Sequence, residues 1–279
     1  MRIDLHMHSN YSDGILPVKK MIHILVSFGV KTFSITDHDT VEATEEAINE
    51  SKKSGIECIP GIEISSEHNN REIHILGYYI DYKNKELINE LYYFKEKRLS
   101  RADHILEKLR LKGIDIERNL LDQYSENGVL GRPHIADILV EKGIVSSRKE
   151  AFKKYLGFGS VAYVPREKVQ IEQAISLIIN AGGIPVLAHP GLSLQHKDLD
   201  HILSAGILGI EVFHPDHNLT LTDYYYNFAI NNNLLITGGT DWHGDKHYGL
   251  YHPFKIPYEN ILKMKQHKRS NLDPIFQNC

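Results

Sequence analysis

The stretch Asp4-Leu5-His6-Met7-His8 carries two imidazoles two residues apart, and Asp13 follows after a short polar turn. Ile3, Leu5 and Met7 alternate with Asp4, His6 and His8. A period of two reads as a strand, so His6 and His8 face the same side. Two imidazoles on one strand face can hold a single metal ion. A solvated strand end explains one such pair as well. Six further apolar runs meet the same residue types. FSIT runs into Asp37, His38 and Asp39, IECIPGIEI carries Glu63, and REIHILGYY carries His74. GGIPVLAHPG reaches His189, GILGIEVFHPDH carries Glu211, His214 and His217, and LLITGGTDWHG ends in Asp241 and His243.

Packing alone does not explain this pattern, because buried charges are costly unless they are paired or bind metal. Imidazoles and carboxylates without thiolates suit Mn, Fe or Zn rather than a structural zinc knot. A carboxylate such as Glu63 can bridge two ions. Ions a few ångströms apart activate water at neutral pH and stabilise a phosphoryl transition state, so the pattern points to metal-dependent hydrolysis, most naturally of a phosphoester.

Strands must deliver these residues to one rim. Helical patterns over Pro17–Phe28, Glu42–Ser54, Ile171–Ala181, Leu199–Ala205, Asp223–Asn231 and Tyr258–His267 alternate with the apolar runs. Strand–helix alternation predicts an α/β fold of parallel βα units, in a barrel or an open sheet. In βα barrels the C-terminal strand ends converge on one face, where active sites sit. From Lys83 to Lys154 the patterns are helical, including the long charged stretch Leu87–Leu111. The expected organisation is therefore a first barrel part over 1–82, a mostly helical insertion over 83–165 and a second barrel part over 166–279.

The 279 residues carry a net charge of −4 and no basic run, which argues against bulk binding to duplex DNA. Two cysteines are too few for a disulfide framework, and Cys58 sits in an apolar run as a small hydrophobe. MRIDLHMH lacks the apolar core of a signal peptide, and no apolar stretch approaches a membrane span. The expectation is a cytoplasmic protein with no membrane partner. His23, His104, His201 and His267 fall on helical patterns, and His68, His196, His247 and His252 in loops. Tyr224-Tyr225-Tyr226 reads as a helix face packed on the barrel, with base stacking as the alternative.

The pieces DLHMHSNYSDG, ITDHDT, GIEIS, EIHILGY, GRPHIA, LAHPG and TDWHG run in order from residue 4 to residue 244. Together they resemble the PHP family, named for polymerase and histidinol phosphatase. The resemblance implies a distorted (β/α)7 barrel and three divalent metal ions, manganese first, with zinc or iron as alternatives. By motif, His6, His8, Glu63 and Asp241 would hold the first ion. Glu63 would bridge to a second, completed by His74 and His134, while Asp13, His38 and His243 would hold a third. His189 would contact phosphate or the attacking water, and His189 or Asp241 would assist proton transfer. Arg132, beside His134, would clamp phosphate, because guanidinium grips its oxygens in a bidentate fork. Asp4 and Asp37 would orient the histidines from behind.

GRPHIADILVEKG followed by FKKYLGFGSVAYVPREK further resembles bacterial members that remove the 3′-phosphate of nucleoside 3′,5′-bisphosphates or trim 5′-phosphorylated short RNA. Such a substrate could meet Arg166 and Lys168 of VPREK and His214 and His217 of FHPDH. A histidinol-phosphate phosphatase and a non-catalytic, metal-loaded regulatory module are the alternatives.

Overall fold

The computed structural model describes residues 2–69, 71–125, 130–165, 169–194, 196–244 and 256–272. Arg166, Lys168, His247 and His252 lie outside them. Among the described residues eight strands form: β1 (Arg2–Asp4), β2 (Val30–Phe33), β3 (Glu57–Cys58), β4 (Gly61–His68), β5 (Arg71–Tyr78), β6 (Ile184–Leu187), β7 (Gly209–Phe213) and β8 (Leu235–Gly238). The helices are α1 (Val18–Ser27), α2 (Thr44–Ser54), α3 (Lys85–Arg110), α4 (Arg118–Ser125), α5 (Arg132–Glu141), α6 (Arg148–Ala151), α7 (Ile171–Asn180), α8 (Pro190–Ser193), α9 (Leu199–Ser204), α10 (Leu219–Asn231) and α11 (Tyr258–Leu272). A π-helical turn, Phe152–Leu156, extends α6.

The fold is mixed α/β, with strands in two sheets. One is parallel, β1-β2-β3; the other runs β4-β5-β6-β7-β8. In the second, β6, β7 and β8 are parallel, but β4 and β5 form an antiparallel hairpin and β5 is antiparallel to β6. The expected uniform parallel arrangement is therefore corrected at β4–β6. A two-residue period sets which face a side chain occupies, and it carries no information about strand direction. Strand pairing does not close a barrel among the described residues.

Two short seams join the sheets. Met7 bridges Trp242, and His38 bridges Glu63. Around the first, Asp241 N–H donates to His6 O (2.8 Å) and His8 N–H to Trp242 O (2.9 Å). Around the second, Asp39 N–H donates to Glu63 O (2.9 Å). Both seams lie where the strands end and the ligand-type residues begin.

Buried residues spaced for helix and strand form the cores. α1 buries Val18, Met21, Ile22 and Leu25, the one-face spacing of an amphipathic helix. The five-stranded sheet packs Ile62, Ile64, Ile73, Ile75 and Val212 against α7, α9 and α10. α3 starts where the Asn84 side chain accepts Leu87 N–H, and its 26 residues reach two cores. Leu87, Leu91 and Phe94 join the core of the five-stranded sheet. Ala102, Ile105 and Leu109 join a separate core with Leu121, Ile135, Leu139, Leu156 and Ala162. Among the described residues no helix is long and apolar enough to cross a membrane.

Candidate metal centre

Three groups of ligand atoms form where the two sheets meet. They are His6, His8, Glu63 and Asp241; His38, Glu63 and His74; and His8, Asp13, His38 and His243, with the atoms of each group within 4.8 Å of one another. Glu63 lies at the middle, fully buried. Its Oε2 is 3.2 Å from His6 Nε2, 3.2 Å from His8 Nε2 and 3.1 Å from His38 Nδ1. Its Oε1 is 2.9 Å from His74 Nδ1 and 3.1 Å from His189 Nε2. Asp241 Oδ1 lies 3.0 Å from His8 Nε2 and 3.3 Å from His6 Nε2. Asp13 Oδ1 lies 3.2 Å from His243 Nε2.

These distances suit a divalent metal. Ligand atoms bound about 2.0–2.2 Å from one ion stand roughly 3–3.6 Å apart. His6 Nε2, both nitrogens of His8, His38 Nδ1, Asp13 Oδ1 and Glu63 Oε2 are buried beside opposite charges without a well-directed hydrogen bond. Such atoms are expensive to bury unless something binds them. The donor set, imidazole and carboxylate only, suits Mn, Fe or Zn.

Electrostatics point the same way. Burial disfavours a protonated His6, but Glu211, Glu63 and Asp241 outweigh it and hold its pKa well above the ordinary value. His8 rises to about 10 against burial, through Asp241 and Glu63. His74 also rises to about 10 against burial, through Glu63 and Glu72. Burial drives His38 down to about 3, and the neighbouring His8 and His74 add to that. Glu63 stays well below the usual carboxylate range despite burial, because His38, His6 and His74 surround it. The buried carboxylates thus demand positive charge, which protons or cations can supply.

His134 sits apart from these groups. It occupies the first turn of α5, where its Nδ1 accepts the Gly131 N–H at 2.9 Å. Any ligation must therefore come through Nε2, and His38 stands with Glu63 and His74 instead. His189 caps α8 at φ 24°, with its Nε2 3.3 Å from His74 Nδ1. His189, Asp241 (φ 51°) and Asp39 (φ 51°) are half of the non-glycine residues with positive φ among the described residues, so backbone strain is concentrated here.

Behind the ligand-type residues, Glu211 was legible as a carboxylate carried by an apolar strand but its role was not. It meets His6 Nδ1 at 3.1 and 3.2 Å and accepts the His189 N–H at 2.9 Å. Asp4 and Asp37 orient loops rather than imidazole rings. Asp4 accepts from His6 N–H and from the N–H and hydroxyl of Thr240, and Asp37 from Ser9 and Ser12. His214, with Nε2 3.6 Å from Asp241 Oδ2, is buried behind that carboxylate rather than lining the cavity. His217 is held through Val212 O and Gly191 N–H. Tyr225 is buried beside His217, while Tyr224 and Tyr226 are exposed.

A cavity of about 180 Å³ opens beside the centre. Ser12, Asp13, His38, Ser65, Glu72 and His74 line it together with Arg98, Arg101, Arg132 and Phe152. Arg132 donates to Glu72 Oε2 (3.2 Å) and Leu156 O (3.4 Å) and lies over the Phe152 ring. Arg98 pairs with the fully buried Asp39 and donates to Ser65 Oγ (3.1 Å). Sequence reasoning missed Arg98 and Arg101. Their only signal was the i, i+3 spacing in RLSR, which on a charged helix looks like any solvated face.

The family model described as PHP domain matches residues 4–158. The 5′-3′ exoribonuclease Rnm of Escherichia coli (strain K12) is 42% identical over 190 residues, covering 67% of this chain and 65% of that protein. The chain thus matches just under two thirds of that relative's length. The 3′,5′-nucleoside bisphosphate phosphatase of Chromobacterium violaceum is 32% identical over 250 residues, 86% of this chain and 87% of that protein. A crystal structure from Bifidobacterium adolescentis, described as that of a metal-dependent phosphoesterase, superposes with a TM-score of 0.84 at 26% identity, covering 94% of each chain.

Proposed function

The chain belongs to the PHP family, and on that premise we propose that it is a metal-dependent phosphoesterase acting on nucleotides. The reaction proposed is removal of the 3′-phosphate from nucleoside 3′,5′-bisphosphates, together with trimming of short 5′-phosphorylated RNA. The observation that carries it is one juxtaposition: three ligand groups linked through the shared His8, His38 and Glu63 reach, at Asp13, His38 and His74, a cavity also walled by Arg98, Arg101 and Arg132. Two phosphates on one nucleotide need two anion-binding places, and this arrangement has a cationic wall beside a ligand cluster. The names of the Escherichia coli and Chromobacterium violaceum relatives favour the same substrate class.

On this reading residues 1–82 and 166–279 form one distorted (β/α)7 barrel, and residues 83–165 are a helical insertion. The two seams favour that arrangement, since they join the sheets where a barrel would close. Three ions, manganese first, would be held by His6, His8, Glu63 and Asp241; by Glu63 and His74 with His134; and by Asp13, His38 and His243. Bound there, divalent ions supply charge neutralisation for a phosphoryl oxygen and lower the pKa of water. The chain does the rest. Arg132 and Arg98 hold anionic oxygens, and Glu72 keeps the Arg132 fork oriented. His189, on its strained cap, holds or releases a proton at Nε2, and His214 steadies Asp241. Glu211 fixes the ring of His6.

The test is inorganic phosphate release from adenosine 3′,5′-bisphosphate with Mn²⁺, with the product identified. A short 5′-phosphorylated RNA runs in parallel. Phosphate with 5′-AMP as product is expected. No phosphate from the bisphosphate and no 5′-mononucleotide from the RNA, in protein shown to hold its metals, would overturn the reading.

A further inference from the structure

Phe158 is 89% exposed, more than any other large hydrophobic side chain among the described residues. A lone exposed apolar residue needs no explanation in itself. What sets Phe158 apart is how firmly the chain holds it out. It follows the π-helical turn Phe152–Leu156, a rare local geometry often found at functional sites. Glycines flank it. At Gly157 an added Cβ would lie 2.6 Å from Phe152 O, and Gly159 has φ +77°. Ser160 Oγ donates to Lys153 O (3.1 Å), and Ala162 N–H to Tyr155 O (3.0 Å). The Tyr163 ring meets Phe158 edge-on at 5.5 Å.

The loop is tied at both ends to the cavity wall. Arg132 donates to Leu156 O (3.4 Å) and Arg101 to Val164 O (2.9 Å). Both arginines line the cavity, as does Phe152, so the ridge continues the site. Lys108, which donates to Tyr163 O (2.6 Å), and the exposed Lys153 place positive charge along it, while Lys154 is paired with Glu150. A fixed aromatic face among cations, continuous with an anion pocket, has the composition of a single-stranded nucleic-acid subsite. There bases stack on rings while cations track the phosphates.

We propose that Phe158, propped by Tyr163, is a stacking platform for a nucleobase of the single-stranded substrate. The inference rests on the nucleotide reading above and assigns that substrate a second point of recognition. Its test needs no turnover. A 5′-phosphorylated trinucleotide RNA carrying 2-aminopurine at the first or second position is titrated with the metal-loaded protein, and fluorescence is read. Quenching is expected with wild type, lost in Phe158→Ala and retained in Phe158→Trp. The position that quenches identifies the stacked base. An exposed side chain should leave folding intact, which a thermal melt checks. In parallel, Phe158→Ala should raise KM for the RNA roughly five- to 150-fold, the span of base–aromatic stacking. KM for ribose 3,5-bisphosphate, which has no base, should not move. RNA that binds wild type and Phe158→Ala with equal affinity and equal fluorescence would overturn the proposal and leave the phosphoesterase reading standing. Loss of phosphate release by wild type would strike that reading instead.

Discussion

At the scale of single residues, Glu63 has the most to do. One buried carboxylate touches five imidazoles, from His6, His8, His38, His74 and His189. Gln keeps its shape and removes its charge. Glu63→Gln should therefore lower metal content and cut kcat by about 10³-fold or more, roughly 4 kcal/mol of barrier. Metal analysis by mass spectrometry and phosphate release check both. Near-normal kcat in metal-supplemented buffer would refute the shared-ligand assignment. Glu211→Gln acts at one remove, through the ring of His6, and should weaken metal affinity about 10- to 100-fold. The same centre fixes a pH dependence. Without metal, His8 and His74 are held at about 10, so below that pH both carry protons that ligation must displace. Metal affinity should rise with pH between about 6 and 9, by about tenfold per unit for each proton released. Titration in chelator-buffered metal would measure the slope, and a flat profile would mean these imidazoles do not ligate.

At the scale of elements, the site is made where β1, β2, β6 and β8 run out and where β4 and β5 carry Glu63 and His74. That is why so much of it was legible. Strand ends can be found from the period of two, and few residue types can ligate, so His6, His8, His38, Glu63, His74, Asp241 and His243 stand out in one sequence. Three things did not show. Direction was hidden at β4–β6, because alternation is the same in either sense. The placement of His38 beside Glu63 and His74, with His134 one step away on α5, depends on the seam His38–Glu63, a pairing between distant segments. Arg98 and Arg101 were hidden because a charged helix face looks the same whether it meets water or a cavity. Yet Arg98 fastens α3 to the β2–α2 loop. Asp39 is fully buried, accepts the Ser65 N–H at 2.8 Å, and has Arg98 as its cationic partner. Removing one side of a buried pair strands the other. Arg98→Ala should cost about 3–5 kcal/mol in urea unfolding. A loss below about 1 kcal/mol would mean that the pair is solvent-screened and that the other contacts of α3, the apolar residues of its two cores among them, hold it in place.

At the scale of the whole molecule, the centre is also a fastening. Its ligand-type residues run from His6 to His243, and both sheets contribute. The sheets share a buried apolar core, in which Ile3 of β1 packs with Leu76 and Tyr78 of β5 and Val186 of β6, while their backbones pair at short seams such as Met7–Trp242 and His38–Glu63. Both seams adjoin the ligand groups, so cations binding there would hold the sheets together across the gap that strand pairing leaves. Binding to the folded state alone stabilises by mass action, about 4 kcal/mol for one ion at a thousand times its Kd. For a chain of this size each kcal/mol is worth about 2 °C in Tm. Chelation should thus lower Tm by about 8 °C or more, and Mn²⁺ should restore it. The loss should also be uneven. Amide exchange should quicken most at His8, Asp39 and Asp241, whose N–H groups make the seams, and least in α4 and α5, whose core of Leu121, Ile135 and Leu139 lies apart. Uniform acceleration would mean that the ions act on global stability alone. Acceleration confined to the seams would identify metal binding as a local fastening between the two sheets.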